Sequence, residues 1–167
     1  MNYFLLNIAL ALAWAAFSGR FDPENLLFGF VLGYVALLMA RRALEPSPYF
    51  GKMRQALSFA LFFFKELILA NLQVAADVVT PTPHMQPRVL AIPLDAKTDV
   101  EITALANLIS LTPGTLSLDV STDRRVLFIH AMYATDADQT RRDIKQGLER
   151  RLLDLMRGEP LAGKRDR

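Results

Sequence analysis

Two apolar runs near the amino terminus constrain this chain more than any other feature. Tyr3 to Phe17 is apolar except for Asn7, and Leu26 to Ala40 carries no charge before Arg41-Arg42. Each run has 15 residues, about 22 Å at the α-helical rise against a hydrocarbon core of about 30 Å. Flanking Asn2, Ser18, Asn25 and Ala43 lengthen each helix by a turn, and local thinning of a bilayer costs little. Apolar residues run all round both helices and leave no polar stripe for water, which argues against a soluble core hairpin. The stretch before the first run has no Lys or Arg, and a second apolar run follows closely, which argues against a cleaved signal. The reading is two membrane helices joined through Ser18-Gly19-Arg20-Phe21-Asp22-Pro23.

In lipid, small residues decide helix contacts because apolar burial gives no drive there. Ala9, Ala13 and Ala16 form one small stripe on the first helix, and Gly29 and Gly33 form a GxxxG pattern on the second. These five residues are expected to meet, or the glycine face is expected to meet another protein.

A third helical stretch is expected from about Lys52 to Val79, after the break at Pro46-Ser47-Pro48. It is amphipathic. Arg54, Gln55, Ser58, Lys65, Glu66, Gln73 and Asp77 fall on one side of a helical wheel, interrupted by Phe62 and Leu69. Lys65, Glu66 and Asp77 are therefore candidates for a functional polar face. Arg41, Arg42, Lys52 and Arg54 place the segment after the second helix in the cytoplasm by the positive-inside rule. The third helix is read as lying along the inner surface or against a partner, although a third span remains an alternative.

The charges concentrate in the second half: residues 88–167 hold 13 of the 19 Lys/Arg and 12 of the 17 Asp/Glu. There the pattern becomes that of a soluble domain. Arg88 to Leu94 reads as a strand, and Asp99 caps a helix to about Ile109. Thr115 to Val120 alternates, with Leu116, Leu118 and Val120 expected to face inward. Arg125 to Ala131 reads as a buried strand. A last helix follows Asp136, with Ala137, Ile144, Leu148, Leu152, Leu155 and Met156 as its apolar stripe. The order βαββα is a small α+β sandwich similar to part of a ferredoxin-like domain. The organisation is a transmembrane hairpin over 1–43, a linker and amphipathic helix over 44–87, and a cytoplasmic α+β domain over 88–158. A basic, disordered tail is expected over 159–167.

Catalytic chemistry finds no footing. With no cysteine there is no disulfide, thiolate metal site or cysteine nucleophile. His84 and His130 make no metal-ligand spacing with each other or with a carboxylate. Thr112-Pro113-Gly114-Thr115 lacks the spacing and the lysine of a phosphate loop. A net charge of +2 is too small for a nucleic-acid binder. Arg141, Arg142, Lys145, Arg150 and Arg151 on the last helix read as a solvated face, or as a contact with anionic lipid. The remaining candidate is the turn Leu111-Thr112-Pro113-Gly114-Thr115, as a partner contact or as plain backbone geometry, with Pro ending the helix and Gly admitting the turn.

Ala104 to Val120, centred on Leu111-Thr112-Pro113-Gly114-Thr115, resembles the signature of the E subunit of Mrp-type multisubunit sodium/proton antiporters, the MrpE, MnhE and PhaE family. Glu66 to Pro81 resembles the linker helix of that family, and Asn25-Leu26-Leu27-Phe28-Gly29 in the hydrophobic hairpin fits it. The resemblance runs to about Gly158. It implies an accessory or structural subunit of a bacterial inner-membrane complex that exchanges Na⁺, or K⁺ in some members, for protons and supports pH homeostasis. Its partners would be A, B, C, D, F and G subunits and membrane lipid, with no cofactor, metal or enzymatic activity of its own. No ion-site residue is carried over. The alternative is a stand-alone membrane-anchored binding or sensor module.

Overall fold

The structure, a computed structural model, describes residues 2–41, 48–81 and 85–158. Arg42, Pro46-Ser47, His84 and the basic tail from Glu159 lie outside the described residues. The chain divides into two compact units, Met1–Arg54 and Gln55–Arg167.

The first unit is built on α1 (Tyr3–Ser18) and α2 (Pro23–Ala40). Asn2 caps α1, its side chain accepting from the Phe4 amide, and Gly19 ends the helix in the left-handed region at φ 68°. Asp22 caps α2 by accepting from the Asn25 amide, with Pro23 in the first helical turn. Asn25 ties the turn together. Its Nδ2 donates to the Arg20 carbonyl at 2.6 Å and to Ser18 Oγ at 2.7 Å, while its Oδ1 accepts from Trp14 Nε1 at 3.0 Å.

The helix contact corrects the expected alanine stripe. Gly29 and Gly33 are buried between the helices, with Leu37 completing the α2 stripe. On α1 the buried stripe is Tyr3, Asn7, Ala11 and Ala15. Ala9, Ala13 and Ala16 are exposed. The i, i+4 stripe runs through Asn7, the polar residue that a search for small apolar stripes passes over. Asn7 is fully buried; its Nδ2 donates to Tyr49 Oη at 2.8 Å, while its Oδ1 has no partner among the described residues. Tyr49 opens α3 (Tyr49–Val79) and packs with Tyr3, Tyr34, Leu37, Phe50 and Met53.

In the second unit, β1 (Arg88–Pro93), α4 (Asp99–Leu111), β2 (Thr115–Val120) and β3 (Val126–Ala131) precede a long C-terminal helix. That helix runs through α5 (Ala137–Asp143), a π-helical segment Ile144–Glu149 and α6 (Arg150–Arg157) without a break. The sheet is antiparallel in the order β1-β3-β2. Among the described residues this is the split βαβ arrangement of a ferredoxin-like domain without a fourth strand. Leu90, Ile92, Leu127 and Ile129 form the buried sheet face against Leu105, Ile109 and Leu152 of the helices.

Three local features depart from the sequence reading. Thr98, not Asp99, caps α4. It forms a capping box in which Thr98 Oγ1 accepts from the Glu101 amide and Glu101 accepts from the Thr98 amide. Leu116 and Leu118 do not face inward; they are about half exposed. Their strand is bulged between Ser117 and Asp119, and Ser117 Oγ turns to the Ala106 carbonyl of α4 at 2.9 Å. The π segment adds a residue to one turn of the C-terminal helix. Beyond it Leu152 and Leu153 are both buried, whereas Met156 is exposed.

The outer edge of β1 is closed by side chains. Arg141 Nε donates to the Ala91 carbonyl at 3.2 Å and Lys145 Nζ to the Pro93 carbonyl at 2.6 Å. Pro93 itself presents no N–H, as suits an edge position.

Candidate functional site

The turn between α4 and β2 is where most sequence candidates converge. Pro113 follows the helix end, and Gly114 adopts φ +85°, a conformation that favours glycine. Gly114 is also crowded: a Cβ there would lie 3.2 Å from the Tyr133 ring. The threonine hydroxyls are engaged locally. Thr112 Oγ1 donates to the Leu108 carbonyl at 3.0 Å, and Thr115 Oγ1 lies 2.6 Å from the Ile109 carbonyl and 3.0 Å from that of Thr112. These bonds satisfy carbonyls that the helix end leaves open. The Gly114 carbonyl accepts from the Met132 amide at 2.7 Å, joining the turn to the end of β3. Leu111 projects outward, 64% exposed. The turn is thus a rigid joint with its polar groups spent on itself and one apolar side chain left over.

Helix α3 lies against this joint. Phe59 packs on the core cluster of the α+β domain. Phe62, Phe63 and Glu66 line a cavity of about 130 Å³ with Ile109, Thr112, Thr115, Asp143, Ile144 and Leu148. Gly147, in the π segment, faces Phe62, and a Cβ there would meet the ring at 3.6 Å, an ordinary van der Waals contact. The Arg151 guanidinium sits 4.4 Å above the Phe62 ring, a cation–π contact. Further along α3, Asp77 lies by Tyr133; burial first, and the neighbouring carboxylate second, raise the Tyr133 hydroxyl above its ordinary range. Glu66 and Asp77 are half-buried on this inner face, whereas Lys65 is exposed. Of the expected polar face, the two carboxylates belong to the domain contact and the lysine does not.

Two buried carboxylates escaped the sequence reading. Glu101 accepts from the Lys97 and Thr98 amides and from Arg157 Nε at 2.7 Å and Nη2 at 2.9 Å. The Arg157 guanidinium, reinforced by the amides, holds its carboxyl down at about 2. The Thr98-x-x-Glu101 spacing was a readable capping signal. Glu149 is 1% exposed. It accepts from the Asp95 and Ala96 amides at 2.6 and 3.0 Å and pairs with Lys145 at 3.2 Å. Both carboxylates brace the loop after β1 against the C-terminal helix, a structural task. Among the described residues no group of three or more His, Asp or Glu is placed to hold a metal ion.

Two helices, Pro23–Ala40 and Tyr49–Val79, are long and apolar enough to cross a membrane, and Tyr3–Ser18 is a shorter apolar helix. An apolar hairpin, joined through α3 to a small α+β domain whose polar groups serve its own architecture, defines a membrane-protein component. The Na⁺/H⁺ ion antiporter subunit family matches residues 7–155. The E subunit of the Na⁺/H⁺ antiporter of Alkalihalophilus pseudofirmus is 39% identical over 151 residues, covering 90% of this chain and 96% of that protein. The corresponding E subunit of Bacillus subtilis is 36% identical over 153 residues, covering 92% and 97%. A chain in the membrane-bound sulfane sulfur reductase, an archaeal respiratory membrane complex, superposes with a TM-score of 0.55 at 26% identity, covering 92% of this chain and 98% of its own length. The chain belongs to the family of Na⁺/H⁺ antiporter E subunits.

Proposed function

We propose that this chain is an accessory subunit of a multisubunit Na⁺(K⁺)/H⁺ antiporter, held in the bacterial inner membrane by α1 and α2, with its α+β domain in the cytoplasm. The observation that carries this reading is the interior of the hairpin. Its buried polar group is Asn7, and no ionisable carboxylate or amine lies between the two helices. A path for ions through lipid needs polar groups lining a cavity at depth, and two close-packed helices enclose none. The conducting path therefore belongs to other subunits, of the A, B, C, D, F and G kinds, and this chain acts by holding the assembly together.

Helix α3 is read as staying on the cytoplasmic side. Its inner face is in contact with the α+β domain from Phe59 to Asp77, and a charged domain does not accompany a helix into hydrocarbon. The GxxxG face of α2 and the outward Leu111 are the proposed points of assembly.

Reconstituted alone, the chain is expected to show no Na⁺-dependent proton movement. Its deletion should weaken or abolish antiport by the complex through lost assembly. If Lys65→Gln or Glu66→Gln stops antiport while the complex assembles in normal amount, this chain conducts and the accessory reading fails. Topology is tested separately with single cysteines at Asp22, Lys52 and Thr122 and an impermeant thiol reagent on intact cells. Only Asp22 should label.

A further inference from the structure

Within the second unit, α3 has two unlike faces. The face on the α+β domain holds Gln55, Phe59, Phe62, Phe63, Glu66 and Asp77. The other face presents Leu57, Leu61, Phe64, Ile68 and Leu72, at spacings of four, three, four and four residues. These five are between 44% and 63% exposed. The ridge extends about 22 Å at the helical rise. It is unpartnered among the described residues of this unit and too large to be scattered surface leucine.

Charge indicates what covers it. From Gln55 to Val79, α3 carries three charged residues. The two acids, Glu66 and Asp77, are turned toward the domain, and Lys65 is left outside. Arg151, also exposed, is held over Phe62, one turn from Lys65. The helix thus offers its surroundings bulky apolar side chains flanked by cations, with its own negative charge screened off. Helix–helix contacts in lipid favour small residues, as Ala11, Ala15, Gly29 and Gly33 show in the hairpin. The α3 ridge has none. Chain continuity points to the same phase. Residues 41–48 alone separate α2 from α3, a reach of at most about 28 Å.

We propose that the outward ridge of α3 lies in the headgroup–acyl boundary of the cytoplasmic leaflet and that Lys65 and Arg151 bind the phosphates of anionic lipids beside it. This rests on the reading that α3 does not cross. The helix is then an in-plane float that fixes the height of the α+β domain against the bilayer.

The test uses the full chain in vesicles of phosphatidylcholine, with or without phosphatidylglycerol. Single cysteines replace Leu57, Leu61, Phe64, Ile68 or Leu72 and carry an environment-sensitive fluorophore, with a cysteine at Thr122 as the water-exposed control. All five ridge probes should be quenched by lipids brominated near the glycerol end of the chain, at one shallow depth, and be shielded from iodide. Thr122 should behave oppositely. Phosphatidylglycerol should strengthen docking. Lys65→Gln or Arg151→Gln should each reduce the docked-to-undocked ratio about fivefold in the anionic vesicles, and Arg151→Lys should retain it. Ridge probes open to iodide in both vesicles would overturn the proposal. Depths that deepen steadily from Leu57 to Leu72 would show a crossing helix and overturn the topology reading with it. Shallow, uniform probes indifferent to phosphatidylglycerol and to both Gln variants would overturn lipid-phosphate binding alone and leave the non-crossing helix standing.

Discussion

Gly33→Ala is expected to be the most damaging single methyl that can be added to the hairpin. A Cβ built on Gly33 runs into Asn7 Oδ1 and comes within 3.2 Å of Leu10 Cβ. Asn7 cannot swing away freely, because it is fully buried and its amide nitrogen is held by Tyr49. Overpacking of this kind costs about 1–3 kcal/mol. Asn7→Ala alone should cost less, since it removes one hydrogen bond, worth about 0.5–1.5 kcal/mol net, together with an Oδ1 that has no partner among the described residues. The double variant should be more stable than Gly33→Ala, with a coupling of at least about 1 kcal/mol, because the obstacle is gone. Gly29→Ala serves as the control. Its Cβ would meet Trp14 at 3.0 Å and the Ala11 carbonyl at 3.1 Å, so Asn7→Ala should not rescue it. Trp14, the chain's single tryptophan, reports the assay: SDS titration of the full chain in mixed micelles, followed by indole fluorescence. The reasoning is refuted if Gly33→Ala unfolds at the wild-type SDS fraction, or if Asn7→Ala rescues both glycine variants equally.

Three other outcomes follow from the α+β domain. Gly114→Ala should lower the free energy of denaturant unfolding by about 1–3 kcal/mol, from the φ that alanine would have to adopt and the Tyr133 ring together; an unchanged midpoint would contradict the geometry of the turn. Glu101 has its folded pKa lowered from 4.5 to about 2. Its contribution, about 3 kcal/mol, is present above pH 4.5 and is lost as pH falls toward 2; Glu101→Gln should therefore flatten this limb of the stability–pH curve and cost stability at neutral pH. Deleting Gln146, an exposed residue of the π segment, removes the residue that the wide turn absorbs, so an ordinary helix should form with Leu152 and Leu153 still facing the core. Circular dichroism should then show a domain that stays folded, and loss of its melting transition would mean that the wide turn is itself required.

The long-range architecture was legible because it rests on coarse physics. Charge-free runs give the hairpin helices, and alternation bounded by Pro, Gly and Asp gives the strands, so β2 runs over Thr115–Val120 as read. What escaped depends on partners that periodicity does not encode. The α1 interface follows Asn7 rather than Ala9, Ala13 and Ala16 because Tyr49, 42 residues away, takes up its amide. Leu116 and Leu118 face outward because a bulge and the Ser117–Ala106 bond set the register, against the apolar alternation. The burial of Leu153 depends on the π segment, which no single-residue signal announces. The candidate turn was visible as Pro-Gly chemistry. That Glu66 and Asp77 meet it from another helix was not, since a polar wheel face reads alike whether it meets water or its own domain.

The edge of β1 bears on how such a chain survives crowded synthesis. Among the described residues β1 has no strand beyond it, an unfinished border, and an unfinished border invites any extended segment nearby to add itself. Here the invitation is withdrawn from within. Arg141 and Lys145 occupy the carbonyls of Ala91 and Pro93 that an incoming strand would need, and proline supplies no amide in return. Strand-to-strand polymerisation is thereby disfavoured at this border. Specific association is left to the faces and tips of the molecule, where side chains rather than backbone choose the neighbour.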